Sequence, residues 1–474
     1  MSKHYDFAVV GGRLASVITS ALLSKRGLRG ILIDQGELAS RGAHGLGDFI
    51  PRAGSSAVMD RVHQEVGLRD DFKKALVPMG PSLQIVEPES RWDFTNGDGM
   101  REVARGLGLT EGVVRGAYER VLAIDEEIGG YLAEAPEIPV PSGFFSRRSG
   151  SAAARKIAAL QDPLGDEFPG PMVDFWKSLV PFMTHFDPGH ADEWSLARLV
   201  RPFARLMGGA FEPVEGKDDR GIFIEAAKRS GLDLRTTAIE GMELQSRSWS
   251  LQIRGQRDPV LADAVVDAST DLSGLDVVPS RQLGRQLPTM MQAAKPRGGL
   301  HVLGIEVDEQ VLPPPMGRHV LLSNGRQDPA RLDPAQPDTG DRPVWIVKRA
   351  AEGPGRIQLL LHLPVSSLEA RESRHISVDD VLRARLERLI PFLEDGRAQT
   401  FDPTRAGRFG PPILQHPFLD PGLDDVTGFG GVSMRTGLKS FFLAGPAVVP
   451  GLGREGEYLS AVQAAGAVEA LLRR

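Results

Sequence analysis

The chain opens with two short apolar runs separated by a helix-like stretch. Residues 6–10 form the first run, glycines interrupt it at 11 and 12, and residues 14–23 read as a helix. The second run, at 31–33, ends at Asp34. This order predicts a βαβ unit whose two strands lie parallel and are joined by a right-handed crossover.

The middle of the chain changes pattern twice. Apolar residues recur at intervals of three and four between about 97 and 135, which predicts a helix with one buried face. Strand-like runs then follow at 234–239, 249–253 and 262–267 and predict a return to α/β structure. Residues 295–365 alternate apolar runs with prolines, which predicts an antiparallel sheet, and a helix should begin at Ser377.

The chain ends with an apolar run at 441–443, a glycine-rich turn and an alanine-rich helix from about 458 to 472. The fold class predicted is α/β, with a Rossmann-like domain around a parallel sheet and a second α+β domain with an antiparallel sheet and helices. The first domain should be discontinuous. We assign residues 1–95, 214–285 and 420–474 to it, and residues 96–213 and 286–419 to the second, substrate-type domain.

Composition removes several classes of function. The 474 residues carry a net charge of −6 with both signs interleaved, so no basic stripe is present and nucleic acid is not an expected partner. Cysteine is absent, which excludes disulfides and thiolate chemistry. No uninterrupted apolar run is long enough for a transmembrane helix, and the first residues do not resemble a signal peptide. A cytoplasmic location is therefore expected, while the oligomeric state is left open.

The loop after the first strand carries an incomplete dinucleotide-binding motif. Gly11 and Gly12 stand at its start, but Arg13 and Ser16 replace the second and third glycines of Gly-x-Gly-x-x-Gly. In that motif the glycines let the backbone approach a diphosphate at a helix N-terminus, and a carboxylate about 20 residues on binds a ribose. Asp34 has the position for the ribose contact. The Arg13 guanidinium could bind phosphate from the side or fill the pocket, and a βαβ unit that binds nothing is equally compatible.

The C-terminal segment makes the resemblance more specific. Ala444-Gly445-Pro446 follows a strand, and a glycine-rich turn over 450–456 leads into the last helix. This segment resembles the closing signature of the phytoene desaturase, carotenoid isomerase and amine oxidase group of FAD-dependent oxidoreductases. The runs at 208–213 and 261–268 resemble the same group in the same order. The resemblance implies FAD as cofactor and an apolar or amine substrate.

Three contact positions depart from that group. Pro446 stands where the group has an aspartate, Ser40-Arg41-Gly42 where it has Gly-Gly-Arg, and Arg13 and Ser16 replace glycines. Together these losses should weaken flavin binding. The residues that the resemblance assigns to cofactor binding are Gly11, Gly12, Arg13, Ser16, Asp34, Gln35, Arg41, Gly445, Pro446, Gly453, Glu455 and Gly456. The turn up to Gly456 is equally explained as simple helix capping.

Two hypotheses about function follow. The first is an FAD-dependent oxidoreductase, with no catalytic side chain identified. The second is a non-catalytic homologue that has lost FAD and binds an apolar ligand or a partner protein. The Rab GDP-dissociation inhibitors, which resemble the same fold, are the precedent for it by analogy.

Other candidate groups favour structural roles. His185 and His190 lack the spacing of metal ligands and are expected to be surface or satisfied loop residues, and no metal site is predicted. Arg201 and Arg205 share one helical face, as a solvated or salt-bridging pair would. The aromatic residues at 175, 176, 182 and 186 are expected in the core.

Overall fold

A computed structural model gives the fold of the chain. It describes residues 3–38, 49–51, 56–87, 90–94, 99–134, 136–138, 154, 168–187, 196–214, 219–270, 272–283, 287–323, 342–351, 353–366, 378–401, 403, 416–419 and 427–473. Within these residues, no helix is both long and apolar enough to cross a membrane.

The first sheet has seven strands around the N-terminal βαβ unit. They are β1 (His4–Val10), β2 (Gly30–Asp34), β8 (Asp233–Thr236), β9 (Ile239–Gln245), β10 (Ser248–Ile253), β11 (Val260–Asp267) and β18 (Phe441–Leu443). The order is β8-β2-β1-β11-β10-β9, and β18 pairs with the second half of β11. Strands β8, β2, β1, β11 and β18 run parallel, whereas β9 and β10 are antiparallel. The carboxyl ends of β1, β2 and β11 therefore meet at one edge, where ligands of such sheets bind.

Helices pack closely on this sheet. Helix α1 (Leu14–Lys25) contacts α8 (Asp219–Arg229) and the C-terminal helix α12 (Gly453–Leu472). Nearly every residue of α1 is buried, because it is enclosed by the sheet and by two helices. This placement brings the two glycine-containing segments, one at each end of the chain, against one another.

The second sheet has eight strands and is mainly antiparallel. They are β5 (Leu83–Val86), β6 (Arg91–Phe94), β12 (Gly298–Asp308), β13 (His319–Leu322), β14 (Val344–Ala350), β15 (Arg356–Ser366), β16 (Gln399–Phe401) and β17 (Pro417–Phe418). Their order is β16-β12-β15-β14-β13-β5-β6, with β17 also beside β12. One face packs into the main core that continues into the first sheet, and the other packs against α11 (Val378–Leu389).

The remaining described elements connect the two sheets. A small sheet is formed by β3 (Ile50–Pro51), β7 (Ala210–Pro213) and β4 (Leu76–Pro78). The helices are α2 (Ala57–Glu65), α3 (Arg69–Lys74), α4 (Met100–Leu107), α5 (Glu111–Ala133), α6 (Gly170–Met183), α7 (Leu196–Met207), α9 (Ser273–Asp276) and α10 (Leu287–Ala293).

The α/β class, the βαβ unit and the antiparallel second sheet are confirmed. Three element boundaries were wrong. The helix predicted over 97–135 is divided because Gly108, at φ 65°, ends α4 and the Thr110 side chain caps α5. The strand predicted over 234–239 is two strands, because the chain leaves β2 after Thr236 and then pairs with β10. The last helix begins at Gly453, not near 458.

The domain boundaries stay a prediction, with one difference in sheet membership. Strands β5 and β6 fall before residue 95, in the segment assigned to the first domain, yet they pair within the second sheet. The start predicted at Ser377 for α11 lies outside the described residues.

Candidate functional site

The candidate site is the cleft at the carboxyl edge of the first sheet, beside the β1–α1 loop. Gly11 has φ 114°, and a Cβ added to it would lie 2.8 Å from the Ala268 carbonyl. A Cβ on Gly12 would lie 2.4 Å from Oδ1 of Asp34. Both glycines are therefore required by close packing against the ends of β11 and β2, whether or not a ligand is bound.

The chain's own carboxylates bind the amides at the start of α1. The Gly12 N–H donates to Oε2 of Glu37 at 2.6 Å, and the Ala15 N–H donates to Oε2 of Glu457 at 3.1 Å. Helix N-termini attract anions because their amides lack intrahelical acceptors and carry the positive end of the helix dipole. In this fold a dinucleotide's diphosphate would use the same donors, so two carboxylates stand in its place.

Glu37, which follows β2, also joins β2 to β11. Its Oε1 accepts hydrogen bonds from the backbone N–H of Thr270 at 3.0 Å and from the Thr270 hydroxyl at 2.6 Å. Together with the bond from Gly12, the two carboxylate oxygens of Glu37 accept three hydrogen bonds. These bonds hold the carboxylate in one position.

Arg13 lies within the cleft. Its Nη1 donates to the Thr270 hydroxyl at 3.2 Å, and its Nη2 is 3.6 Å from Oε1 of Glu457. The Arg13 side chain is 16% exposed and the Glu457 side chain 8%, so the pair is largely removed from water. The guanidinium thus contacts the chain's own Thr270 and Glu457, and its role toward a phosphate stays a prediction. Ser16 is buried, and its hydroxyl donates to the Arg13 carbonyl at 2.6 Å.

Asp34 retains one feature of a ribose-binding carboxylate. Its Oδ1 accepts hydrogen bonds from the amides of Gly36 and Leu38, both at 3.1 Å. Its Oδ2 is buried and has no hydrogen-bond partner in the part of the chain that the structure describes. Burial, opposed by these amides and reinforced by the charge of Glu37, raises the pKa of Asp34.

The glycine-rich turn before α12 packs against another part of the chain. A Cβ on Gly451 would lie 2.3 Å from the Phe186 ring, and one on Gly453, at φ 51°, would lie 1.9 Å from the Met183 carbonyl oxygen. A Cβ on Gly456 would lie 2.2 Å from the Val449 carbonyl oxygen. In the group that the sequence resembles, these glycines would leave room for a cofactor. Here Gly451 and Gly453 leave room for the end of α6 and the residues that follow it.

Residues 184–187, which follow α6, are fixed from both sides. The His185 N–H donates to the Pro450 carbonyl at 2.9 Å, and the His185 carbonyl accepts from the Leu419 N–H at 2.8 Å. The Asp187 N–H donates to the Leu419 carbonyl at 3.3 Å. These residues therefore cross between the closing turn and β17, where they are held by backbone hydrogen bonds.

Two imidazoles stack beside these residues, close to Arg13. The ring centroids of His185 and His416 are 4.2 Å apart. Burial, aided by the positive charge of Arg13, lowers the pKa of His416 to about 3 and that of His185 well below its usual value. Both rings also contact backbone carbonyls, His185 at Pro417 and His416 at Thr184. His185 is thus a satisfied buried residue, and His190 lies outside the described residues.

Glu455 faces away from the β1–α1 loop into a buried ionic network. Its carboxylate accepts hydrogen bonds from Arg201 at 3.0 Å and 3.1 Å, from Arg205 at 3.2 Å, and from the Ser56 hydroxyl. Arg201 also pairs with Asp125 of α5. Against the cost of burial, the two guanidinium groups lower the pKa of Glu455 to about 2. Arg201 and Arg205 form the salt-bridging pair that their spacing predicts, and they are not solvated.

The other predicted site residues have structural contacts in this fold. The Gln35 side chain donates to the Ser273 hydroxyl at 2.8 Å and accepts from the Ile239 N–H at 3.3 Å. The Gly445 N–H donates to the Ser460 hydroxyl at 2.8 Å, and Pro446 is buried in the following turn. Arg41 lies outside the described residues. The cofactor roles assigned from the resemblance remain predictions.

Sequence reasoning missed Glu37, Glu457 and Thr270. Glu37 lies only three residues after Asp34, and Glu457 follows the glycine-rich turn at the start of the last helix. Neither position indicates that its carboxylate reaches the start of α1, because Glu37 lies 25 residues from Gly12 and Glu457 lies 442 residues from Ala15.

Solved structures define the class of this fold. No protein-family model matches the sequence, and no curated protein matches it either. A structure of an oxidoreductase from Methanosarcina mazei is similar over 96% of this chain and 99% of its own, with a TM-score of 0.59 and 12% identity. The chain thus shares the fold of this oxidoreductase, in agreement with the resemblance.

Two amine oxidases make the assignment more specific. Cyclohexylamine oxidase from Brevibacterium oxydans is similar over 99% of this chain and 100% of its own, with a TM-score of 0.52 and 12% identity. Putrescine oxidase bound to putrescine is similar over the same shares, with a TM-score of 0.53 and 12% identity. The chain shares the fold of these two amine oxidases.

As folded, the cleft does not fit FAD. At the diphosphate position the Gly12 and Ala15 amides already bind Glu37 and Glu457, and the Arg13 guanidinium pairs with Glu457. Only the free oxygen of Asp34 fits a ribose hydroxyl. At the other end of the cleft, the closing glycines pack on Met183 and Phe186. The described residues are therefore compatible with the ribose, but not with the diphosphate or with a cofactor at the closing glycine turn.

Proposed function

We propose that this protein is a non-catalytic relative of the FAD-dependent oxidoreductases, which has lost FAD and uses the retained fold to bind an apolar ligand or a partner protein. The observation that carries this proposal is the packing of the closing glycine turn. Gly451 and Gly453 contact Phe186 and Met183 at distances that leave no room even for a methyl group. Without a flavin, the fold has no hydride acceptor, because the protein supplies position and electrostatics but not the redox group.

Several independent contacts hold residues 184–187 against the closing glycine turn. Backbone hydrogen bonds link residues 184–187 to Pro450 and Leu419, and the stacked rings of His185 and His416 lie next to them. Admitting a flavin would require these bonds to break, at about 1 kcal/mol each, in addition to the loss of buried ring contacts. We therefore expect the filled arrangement to persist when FAD is added.

A flavin-dependent oxidoreductase is the second candidate, and Asp34 is the observation that favours it. A buried carboxylate oxygen without a partner among the described residues is costly, and a ribose hydroxyl would satisfy it. This candidate requires Glu37 and Glu457 to leave the α1 amides when the cofactor arrives.

The absorbance spectrum of the purified protein tests the proposal. We expect no flavin bands as purified, and none after incubation with excess FAD and removal of the unbound cofactor. A flavin-binding amine oxidase taken through the same steps serves as the positive control. Flavin bands at stoichiometric intensity in this protein, lost on Asp34→Ala but not on the exposed Glu225→Ala, would establish the second candidate instead.

A further inference from the structure

We infer that Glu37 and Glu457 are built-in substitutes for the diphosphate of a dinucleotide, and that removing both side chains opens a diphosphate-binding site at the N-terminus of α1. This inference rests on the proposed function, since it explains how the fold remains stable without its cofactor. It concerns the chain's own residues and assigns the two carboxylates a role that neither the motif nor the shared fold supplies.

The contacts at α1 are those that an anion would make. Glu37 binds the Gly12 amide at 2.6 Å, and Glu457 binds the Ala15 amide at 3.1 Å. The two carboxylates approach from different parts of the chain, one from the loop after β2 and the other from α12. Two negative groups bound to amides at one helix N-terminus supply the charge and the acceptors that a diphosphate would bring.

Arg13 supports the same interpretation. A guanidinium at the second glycine position attracts anions. Here it pairs with the Glu457 carboxylate at 3.6 Å and donates a hydrogen bond to the Thr270 hydroxyl at 3.2 Å. It therefore acts as a counter-charge to the internal carboxylate. If Glu457 were removed, the same guanidinium would be available to a phosphate, which Arg binds strongly.

The charge of the cleft also sets its selectivity. Asp34, Glu37 and Glu457 contribute three carboxyl groups near one guanidinium, so an incoming anion meets groups of its own sign. A relative that binds a diphosphate needs the opposite arrangement, with donors unoccupied. The intact protein should consequently reject nucleotides by both occupancy and charge.

Alanine variants with inorganic pyrophosphate as the probe test this inference. Calorimetric titration should show pyrophosphate and ADP binding to the E37A/E457A variant at least about tenfold more tightly than to the unmodified protein. Adenosine, which lacks phosphate, should bind to neither. Pyrophosphate should also raise the melting temperature of the variant and leave that of the unmodified protein unchanged, because it restores the acceptors for the α1 amides.

Matched variants separate occupancy from charge. E37Q/E457Q removes the charge and keeps the side chains in place, so it should bind pyrophosphate more weakly than E37A/E457A. The exposed pair change E225A/E240A removes two charges elsewhere and should have no effect. If the double alanine variant does not fold, E457A alone should still show a melting temperature that rises with pyrophosphate, because Arg13 and the Ala15 amide become available.

A folded alanine variant that does not respond to pyrophosphate would overturn the inference, as would equal binding by the unmodified protein. Binding of ADP without pyrophosphate would also overturn it, because recognition would then lie in the nucleoside. These outcomes differ from failure of the proposed function, which is the presence of bound FAD in the unmodified protein.

Discussion

The folded protein is expected to lose stability steeply as the pH falls from about 6.5 to 5. Three histidines, His63, His185 and His319, are each only 2% exposed. Burial, together with the charge of Arg454, lowers the pKa of His63 to about 4, and burial lowers the pKa of His185 and of His319 well below the usual value. These side chains are therefore neutral in the folded protein at a pH where the unfolded chain binds protons.

The sign of the effect follows from that difference. In the unfolded chain the histidine pKa is about 6.5, so acid favours the unfolded state below that pH until the folded-state pKa is reached. Each histidine with a lowered pKa contributes a slope of up to about 1.4 kcal/mol per pH unit. These three together with His416, whose pKa is lowered to about 3, therefore approach about 5 kcal/mol per unit. The pKa of Glu455 is lowered to about 2, so this carboxylate further reduces the free energy of unfolding as the pH falls below about 4.5. The pKa of Asp34 is raised, so this carboxyl group has the opposite effect.

Urea unfolding at pH 7.5, 6.0 and 5.0 measures this slope, which gives the number of protons taken up on unfolding. His63→Gln should reduce that number by about one, because one titrating side chain is removed. Leu122→Gln, at an exposed position of α5, removes no titrating group, so it serves as the control and should leave the slope unchanged. A free energy of unfolding that stays constant between pH 7 and 5 would contradict the assignment of neutral, buried imidazoles.

Replacing Glu455 by glutamine should lower the free energy of unfolding by about 3–5 kcal/mol, the usual cost of leaving a buried ion without its partner. Arg201 and Arg205 both bind this carboxylate, and their side chains are 4% and 12% exposed. Asp125 compensates only part of the positive charge, through Arg201. The change therefore leaves a guanidinium group in the interior with a neutral amide in place of its counter-ion.

A second carboxylate on the same helix provides the control. Glu469 of α12 pairs with Arg26 at 3.0 Å, but its side chain is 22% exposed. Glu469→Gln should cost no more than about 1 kcal/mol, since water screens the pair. Equal losses in the two variants, measured by urea unfolding at pH 7.5, would show that the network at Glu455 does not stabilise the fold.

Local sequence patterns predicted much of the fold. The β1–α1–β2 unit has short apolar runs, a glycine pair and a largely apolar helix between them, so its structure depends mainly on neighbours in sequence. The same holds for β12, β14 and β15, whose apolar runs are bounded by prolines and pair in the predicted antiparallel sense. Boundaries failed where a single residue decides them, as Gly108 does with its left-handed conformation.

The state of the cofactor cleft could not be read from the sequence in the same way. The motif leaves open whether Arg13 fills the pocket or binds phosphate. It gives no sign of the contact between Arg13 and Glu457, which lies 444 positions along the chain. The packing of Gly453 on Met183 is equally non-local. A glycine that makes room for a ligand and a glycine that makes room for the chain's own backbone look the same in a sequence. The motif alone therefore does not distinguish the two cases.

The most direct measurement of the central claim is a crystal structure of the protein grown with excess FAD. We predict that Glu37 remains bonded to the Gly12 amide and Glu457 to the Ala15 amide, with no nucleotide at the start of α1. A dinucleotide lying along α1, with both carboxylates displaced and Arg13 turned toward its phosphates, would contradict the account.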